Sequence, residues 1–157
     1  MNTATQEKLK EMKFFGMLRA FKTSIESGQR TKLTTDEMIA FLIESEWDDR
    51  QNRKIERNVK NAKFRYNASM EQLFYEKERN LDKNQMMRYA DCAFIKKKEN
   101  IFITGSTGIG KSYIASTLGY QGCVMGYKVL YLNTQKLMSK LKMAKADGTY
   151  IREIARI

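Results

Sequence analysis

Three observations predict an α/β core preceded by a small all-helical domain. Residues 105–112 read Gly105-Ser106-Thr107-Gly108-Ile109-Gly110-Lys111-Ser112, a full match to G-x-x-x-x-G-K-[ST]. The run before it, Ile101-Phe102-Ile103-Thr104, is β-branched and aromatic, and Tyr113-Ile114-Ala115-Ser116-Thr117-Leu118 after it reads as a helix. Upstream, apolar residues recur at helical spacing through much of residues 1–95. Strand, glycine loop and helix in that order is the setting of a phosphate-binding P-loop. Residues 1–95 are therefore expected to form a helical domain that meets DNA or a partner. Residues 96–157 are expected to form the first part of a P-loop NTPase core, truncated.

Taken in order, Leu9 and Met12 open an apolar series that Gly16 is expected to interrupt. Phe14, Leu18, Phe21 and Ile25 follow at helical spacing, and Ser27-Gly28-Gln29-Arg30 reads as a turn. Thr34-x-x-Glu37 is a capping box opening a helix through Met38, Phe41, Leu42 and Trp47, with Trp47 expected in the core beside Phe41 and Ile43. Ser69-x-x-Gln72 repeats the box before Leu73, Phe74 and Tyr75. Asp82 should cap a short helix through Met86, Tyr89 and Ala90, and Lys96-Lys97-Lys98-Glu99-Asn100 should be a polar hinge. Beyond it the pattern reads β-α-β-α. Ile101 to Thr104 is the first strand, and Ser112 to about Met125 a helix closed by Gly126. Val129-Leu130-Tyr131-Leu132 is the second strand. Thr134 should cap a helix carrying Leu137, Leu141 and Ala144; Asp147-Gly148 is a turn, and another helix begins at Tyr150. Two strands do not make a stable doubly wound sheet, so this half reads as the opening of a larger nucleotide-binding domain.

The loop's residue types follow from its task. Glycine lets successive backbone N–H groups turn inward and leaves no side chain to block approach. Gly105 and Gly110 should fix the loop and Gly108 should admit close approach, while Ser106, Thr107 and Ile109 contribute backbone. Lys111 is expected to reach the β- and γ-phosphates of ATP, the Ser112 hydroxyl to hold Mg²⁺, and the helix start to add its positive dipole end. A plain glycine turn between strand and helix is the simpler alternative.

Composition bounds the partners. The formal charge of +11 favours nucleic acid, ahead of an acidic protein or an anionic membrane surface. No run of apolar residues is long enough to span a membrane, and residues 1–6 are polar, so a cytoplasmic location is expected. Cys92 and Cys123 are far apart and read as incidental or buried thiols. With no histidine in the chain, His-dependent metal sites and triads are excluded.

Residues 50–66 set a narrow apolar stripe, Ile55, Val59, Ala62 and Tyr66, against a basic face of Arg50, Arg53, Lys54 and Arg57, with Lys60, Lys63 and Arg65 at the flanks. That face fits phosphate contacts to duplex DNA, largely independent of sequence. It also fits a solvated helix face partly paired with Asp48, Asp49 and Glu56.

After the loop the acidic residues are Asp147 and Glu153, and neither follows an apolar strand. The Mg²⁺-holding carboxylate of a hydrolytic P-loop site is therefore not expected in this chain, nor is an identifiable arginine finger. Weak nucleotide binding with negligible turnover is the expectation.

Several segments together resemble the IstB-type transposition helper ATPases of bacterial insertion sequences, AAA+ relatives of the DnaC helicase loaders. They are Leu9-Lys10, Gly16-Met17, Glu46-Trp47 with Arg50-x-x-Arg53, Asn61-Ala62-Lys63-Phe64-Arg65, Glu99 through Gly105, Gly108-x-Gly110-Lys111-Ser112, Gly126-Tyr127-Lys128-Val129 and Ala144-x-Ala146-Asp147-Gly148. The resemblance covers nearly the whole chain and corresponds to the family's N-terminal portion. It implies an AAA+ fold, ATP and Mg²⁺ as ligands, assembly on DNA in the ATP state, and help to a partner transposase in selecting target DNA. It places the Walker A residues at Gly105 through Ser112. The family usually has Pro where Ser106 stands, a change that leaves the backbone cradle intact. Family members continue into an Asp-bearing strand, sensor elements and an arginine finger, and self-assembly is expected of the full-length form. A DnaC-like replicative helicase loader, a metabolic P-loop kinase, and a truncated DNA-binding chain that no longer cycles ATP are the alternatives.

Overall fold

The computed structural model describes residues 3–28, 33–75 and 81–157. In chain order the helices are α1 (Thr3–Glu11), α2 (Phe15–Glu26), α3 (Thr35–Ala62), a 3-10 turn (Met70–Gln72), α4 (Lys83–Tyr89), α5 (Ala93–Lys96), α6 (Lys111–Val124), α7 (Thr134–Ala146) and α8 (Tyr150–Ile154). They gather into two compact units, Met1–Glu56 and Arg57–Ile157.

No strand is present among the described residues, which corrects the α/β expectation. The reason lies in where the backbone hydrogen bonds go. Ile101 and Ile103 pack on the core while Phe102 between them is 87% exposed, so Ile101–Thr104 does alternate in and out. Extended backbone becomes a strand only through a ladder, and among the described residues this segment makes no backbone–backbone hydrogen bond. The second expected strand is tied to α3 instead. The Tyr131 N–H donates to the Ala62 carbonyl (2.9 Å), and the Asn58 side-chain amide donates to the Tyr127 carbonyl (3.2 Å). Residues 96–157, expected to open an α/β core, are thus helices and extended connections.

In the first unit, α1 ends with Lys13 in the left-handed region (φ 59°), and the N–H groups of Lys13 and Phe14 close on the carbonyls of Lys10 and Leu9. The break between α1 and α2 therefore falls at 12–14. Gly16, expected as the interruption, sits inside α2 and is buried. A Cβ there would lie 2.4 Å from the Ser45 carbonyl oxygen and 2.8 Å from Glu46 Cα, so the residue is glycine because α3 passes directly against it. The Ser27–Gly28 turn is present, and Gln29 and Arg30 lie outside the described residues.

The Thr34 capping box forms as expected. The Thr34 N–H donates to Glu37 Oε2 (2.7 Å) and the Glu37 N–H to Thr34 Oγ1 (3.3 Å). It opens a 28-residue helix that runs on through the basic segment without interruption. Trp47, expected in the core, is 63% exposed, in line with exposed Ile39 and Ile43. Helical spacing places these three on one face, but the side that faces α2 carries Glu46 instead.

In the second unit, Leu73, Met86 and Leu118 form the core, with Met70, Leu81, Tyr89, Ile101, Ile103 and Ile114 around them. The Ser69 box closes on Gln72, and Asp82 accepts from the Asn84 N–H (2.8 Å) to cap α4, both as expected. Along α6, Gly119 admits the Phe64 ring, whose Cε1 would lie 2.5 Å from a Cβ at that position. The buried hydroxyls of Ser116 and Thr117 donate back to the carbonyls of Ser112 and Tyr113. Gly126 closes α6 with φ 87°, and the Tyr127 N–H reaches the Gly122 carbonyl (2.9 Å). The cap of α7 is Asn133, which accepts from the Lys136 N–H (3.1 Å); Thr134 is the first helical residue. Tyr66, placed on the apolar stripe of the basic helix, lies beyond its end and packs on Tyr113 at 6.0 Å between ring centroids.

Candidate functional site

The glycine loop runs from the extended Ile101–Thr104 segment into the N-terminus of α6. Three of its residues hold positive φ: Gly105 (145°), Gly108 (89°) and Gly110 (96°), the last as the residue that starts the helix. An L side chain is strained at each, so the curl of the loop depends on glycine at these positions. A Cβ on Gly105 would meet Ile109 Cδ1 at 2.7 Å, whereas nothing lies within 4 Å of one on Gly108. The space beside Gly108 is open.

Lys111 is the first residue of α6, and its side chain turns back into the loop. The ammonium donates to the Gly105 carbonyl at 2.9 Å and to the Ser106 carbonyl at 2.6 Å. The charge is thus centred on the loop beside the start of a 14-residue helix, where orphan N–H groups and the helix dipole also favour an anion. Ser112 follows on the first turn. A cleft of about 220 Å³ continues from the loop towards α4, lined by Thr104, Ile109 and Lys111 on one side and Gln85, Tyr89 and Leu81 on the other. Gln85 and Tyr89, four residues apart on α4, hydrogen-bond to each other at 3.3 Å. Sequence reasoning misses this pair, because its i, i+4 spacing marks a shared helix face and nothing local ties that face to the glycine loop.

A comparison across known proteins bears directly on this loop. Residues 7–157 match the model of the IstB-like ATP binding proteins, so the glycine loop lies within the matched region. The chain belongs to the IstB-like ATP binding protein family. It is 35% identical over 94% of its length to y4pL of Sinorhizobium fredii, described as a putative insertion sequence ATP-binding protein, and spans 60% of that relative. It is 32% identical over its whole length to the IS1162 putative ATP-binding protein of Pseudomonas fluorescens, spanning 68% of it. To the IS21 putative ATP-binding protein of Pseudomonas aeruginosa it is 25% identical over 85% of its length, spanning half of that chain.

In this IstB-like chain the basic residues of α3 fall into two groups. Arg50 Nε donates to Glu46 Oε1 (2.7 Å), and its guanidinium lies 5.2 Å from the centroid of the Phe14 ring. Arg53 pairs with Asp49 (2.7 Å) and stands over Phe15 at 5.5 Å. Both cations are therefore engaged in holding α2 to α3. Among the described residues Lys54, Arg57 and Lys60 form no ion pair. Glu46 is buried, and burial pushes its carboxyl up. Its bonds to Arg50 and to the Met17 and Gly16 N–H groups outweigh that and hold it below its ordinary value.

The two acids after the loop have structural positions. Asp147 ends α7, and Glu153 bridges Lys140 and Arg156, which lowers its carboxyl. Among the described residues no helix is long and apolar enough to cross a membrane.

Proposed function

We propose that the chain grips the polyphosphate of ATP at Gly105–Ser112 and serves as the nucleotide- and DNA-binding part of an insertion-sequence transposition helper that assists a partner transposase. The observation that carries the nucleotide reading is Lys111, whose ammonium sits inside a loop of positive-φ glycines at the head of α6. Its two acceptors are neutral carbonyls, so an incoming phosphate oxygen offers a stronger, charge-assisted partner. Backbone N–H groups of the loop and of the first turn of α6 would hold the phosphates. Ser112 would hold Mg²⁺, which neutralises phosphate charge when bound. The cleft towards Gln85 and Tyr89 has room for the rest of the nucleotide. The names of the relatives support ATP as the ligand and an insertion-sequence context.

DNA contact is assigned to the basic side of α3, with Lys54, Arg57 and Lys60 as the cations left open for phosphates and the net charge of +11 in support. Binding of this kind is largely independent of sequence. Hydrolysis by this chain is expected to be negligible, because Asp147 and Glu153 are committed to helix ends and ion pairs.

Titration of the purified chain with Mg-ATP tests the nucleotide reading. Saturable binding that weakens at least tenfold in Lys111→Ala, with unchanged circular dichroism, is the expected result. Absence of binding at millimolar Mg-ATP in the folded chain overturns it. Steady phosphate release lost in Lys111→Ala would overturn the expectation of negligible turnover.

A further inference from the structure

We propose that the cleft beside the glycine loop selects adenine over guanine, and that Gln85 on α4 reads the edge of the base. The inference deepens the nucleotide reading of Gly105–Ser112 and rests on it.

Most side chains that line the cleft are apolar, among them Leu81, Ile103, Ile109 and Ile114, which suits the faces of a flat ring. Among the described residues its single charged side chain is Lys111, on the loop side. On the α4 side the polar groups are an amide, on Gln85, and a phenol, on Tyr89. A ligand that meets both sides carries its negative charge at one and an uncharged, hydrogen-bonding ring at the other, as a nucleotide does. At about 220 Å³ the cleft is smaller than the roughly 300–1,000 Å³ of pockets that enclose a whole ligand, so it takes the ring end of the molecule and leaves the phosphates to the loop.

The amide is held in place by rigid elements. α4 is pinned to α6, the helix that carries Lys111: Met86 packs with Leu118 in the core, and the Gln121 side-chain amide donates to the Ala90 carbonyl (2.7 Å). The Tyr89 ring meets Phe94 edge-on at 6.0 Å between centroids, and its hydroxyl accepts from Gln85 Nε2 at 3.3 Å. That bond uses one of the two amide hydrogens and leaves the carbonyl Oε1 beside a second N–H. An acceptor next to a donor complements adenine, which shows the N6 donor beside an acceptor, N7 on one edge and N1 on the other. Guanine carries O6 where adenine carries N6. Its N7 edge then shows two acceptors, and its N1 edge pairs only if the amide turns over and gives up the Nε2–H bond to Tyr89. Cytosine shows the same donor and acceptor as adenine on a smaller ring, with less apolar face to bury.

Isothermal titration of the full 157-residue chain with the magnesium complexes of ATP, GTP, CTP and tripolyphosphate is the test. ATP should bind about tenfold more tightly than GTP, the order of one bidentate base contact, and more tightly than CTP. Gln85→Glu replaces the amide by two acceptors, which complement the N1–H and N2–H donors of guanine. It should weaken ATP, tighten GTP and so reverse the preference. Tyr89→Phe keeps the ring and removes the hydroxyl that positions the amide, and should narrow the ratio of ATP to GTP affinity about threefold. Tripolyphosphate has no base and should bind the native chain and both variants alike. Equal affinity for ATP and GTP in the native chain overturns the proposal, and that comparison needs no variant to fold. An unchanged ratio in Gln85→Glu overturns it as well, as does CTP binding as tight as ATP. In each of those cases retained tripolyphosphate binding leaves the reading of the glycine loop standing. Failure of tripolyphosphate and of every nucleotide to bind overturns the loop reading and this proposal with it.

Discussion

Glu46, on α3, accepts the backbone N–H of Gly16, near the start of α2, at 2.8 Å, and thereby acts as the N-terminal cap that the α2 sequence lacks. The residue before α2 is Phe14, which offers no side-chain acceptor. The same carboxylate takes the Met17 N–H at 3.2 Å and the Arg50 Nε at 2.7 Å. One buried anion therefore joins a helix start, a neighbouring helix and a guanidinium.

That arrangement gives stability a defined acid dependence. The folded-state pKa of Glu46 lies below its ordinary value of 4.5. Its contribution is therefore complete at neutral pH, declines as pH falls below about that value, and is gone once pH passes the folded-state pKa. Glu46→Gln should be less stable than the native chain by about 2 kcal/mol at neutral pH, since charge-assisted bonds become neutral ones. In urea titrations at a series of pH values the gap should close on the acid side. A gap that stays constant down to strongly acid pH would contradict the assignment.

Gly16→Ala places a methyl against backbone, with 2.4 Å to the Ser45 carbonyl oxygen. The two helices must separate to admit it, at a cost of about 3 kcal/mol. Thermal unfolding should show the loss, and Met17→Ala, one residue on, should show less than half of it. Equal losses at the two positions would mean that helix contact at Gly16 is not what matters.

Gly105→Ala separates loop shape from loop charge. The nearest atom to the new Cβ is Ile109 Cδ1, the mobile end of a side chain, so the cost comes from φ of 145° and should be about 1 kcal/mol in stability. Nucleotide affinity should fall several-fold with Lys111 still present. Isothermal titration checks this, and an unaltered affinity would show that the loop holds no phosphate at that point.

For DNA, the ion pairs on α3 rank the cations. Charge reversal of Lys54, Arg57 and Lys60 together should lower the dependence of log K on log salt by up to about three units, on the order of 0.9 for each phosphate no longer neutralised. Reversal of Arg50 and Arg53 should act mainly through stability, because those residues face Glu46, Asp49 and the Phe14 and Phe15 rings. Equal salt slopes for the native chain and the triple variant would return this face to plain solvent exposure.

Local chemistry is legible in the sequence, and pairing between distant segments is not. Both capping boxes, the Asp82 cap, the Gly126 closure and the α6 start form where the residue types place them, because each depends on neighbours within five positions. The glycine loop is legible for the same reason. Ile101–Thr104 and Val129–Leu132 have strand composition, yet strand identity depends on partners that composition does not specify. Trp47 and Gly16 escape sequence reasoning together. The side of α3 that meets α2 is set by the bare backbone at Gly16 and the reach of Glu46, and that turns the indole outward. The pairing of Arg50 with Glu46 is equally hidden behind a pattern that looks uniformly cationic.

Cys92 and Cys123 are both free and fully enclosed, and burial raises the pKa of each thiol, with Asp91 adding to the effect at Cys92. Thiol reagents need the ionised sulfur and a path to it, so modification of the native chain should wait on opening of the second unit. Labelling rate thus becomes a clock for that opening, readable without any engineered probe. A ligand that tightens the unit around α6 would slow the clock, even where it leaves the helical spectrum unchanged.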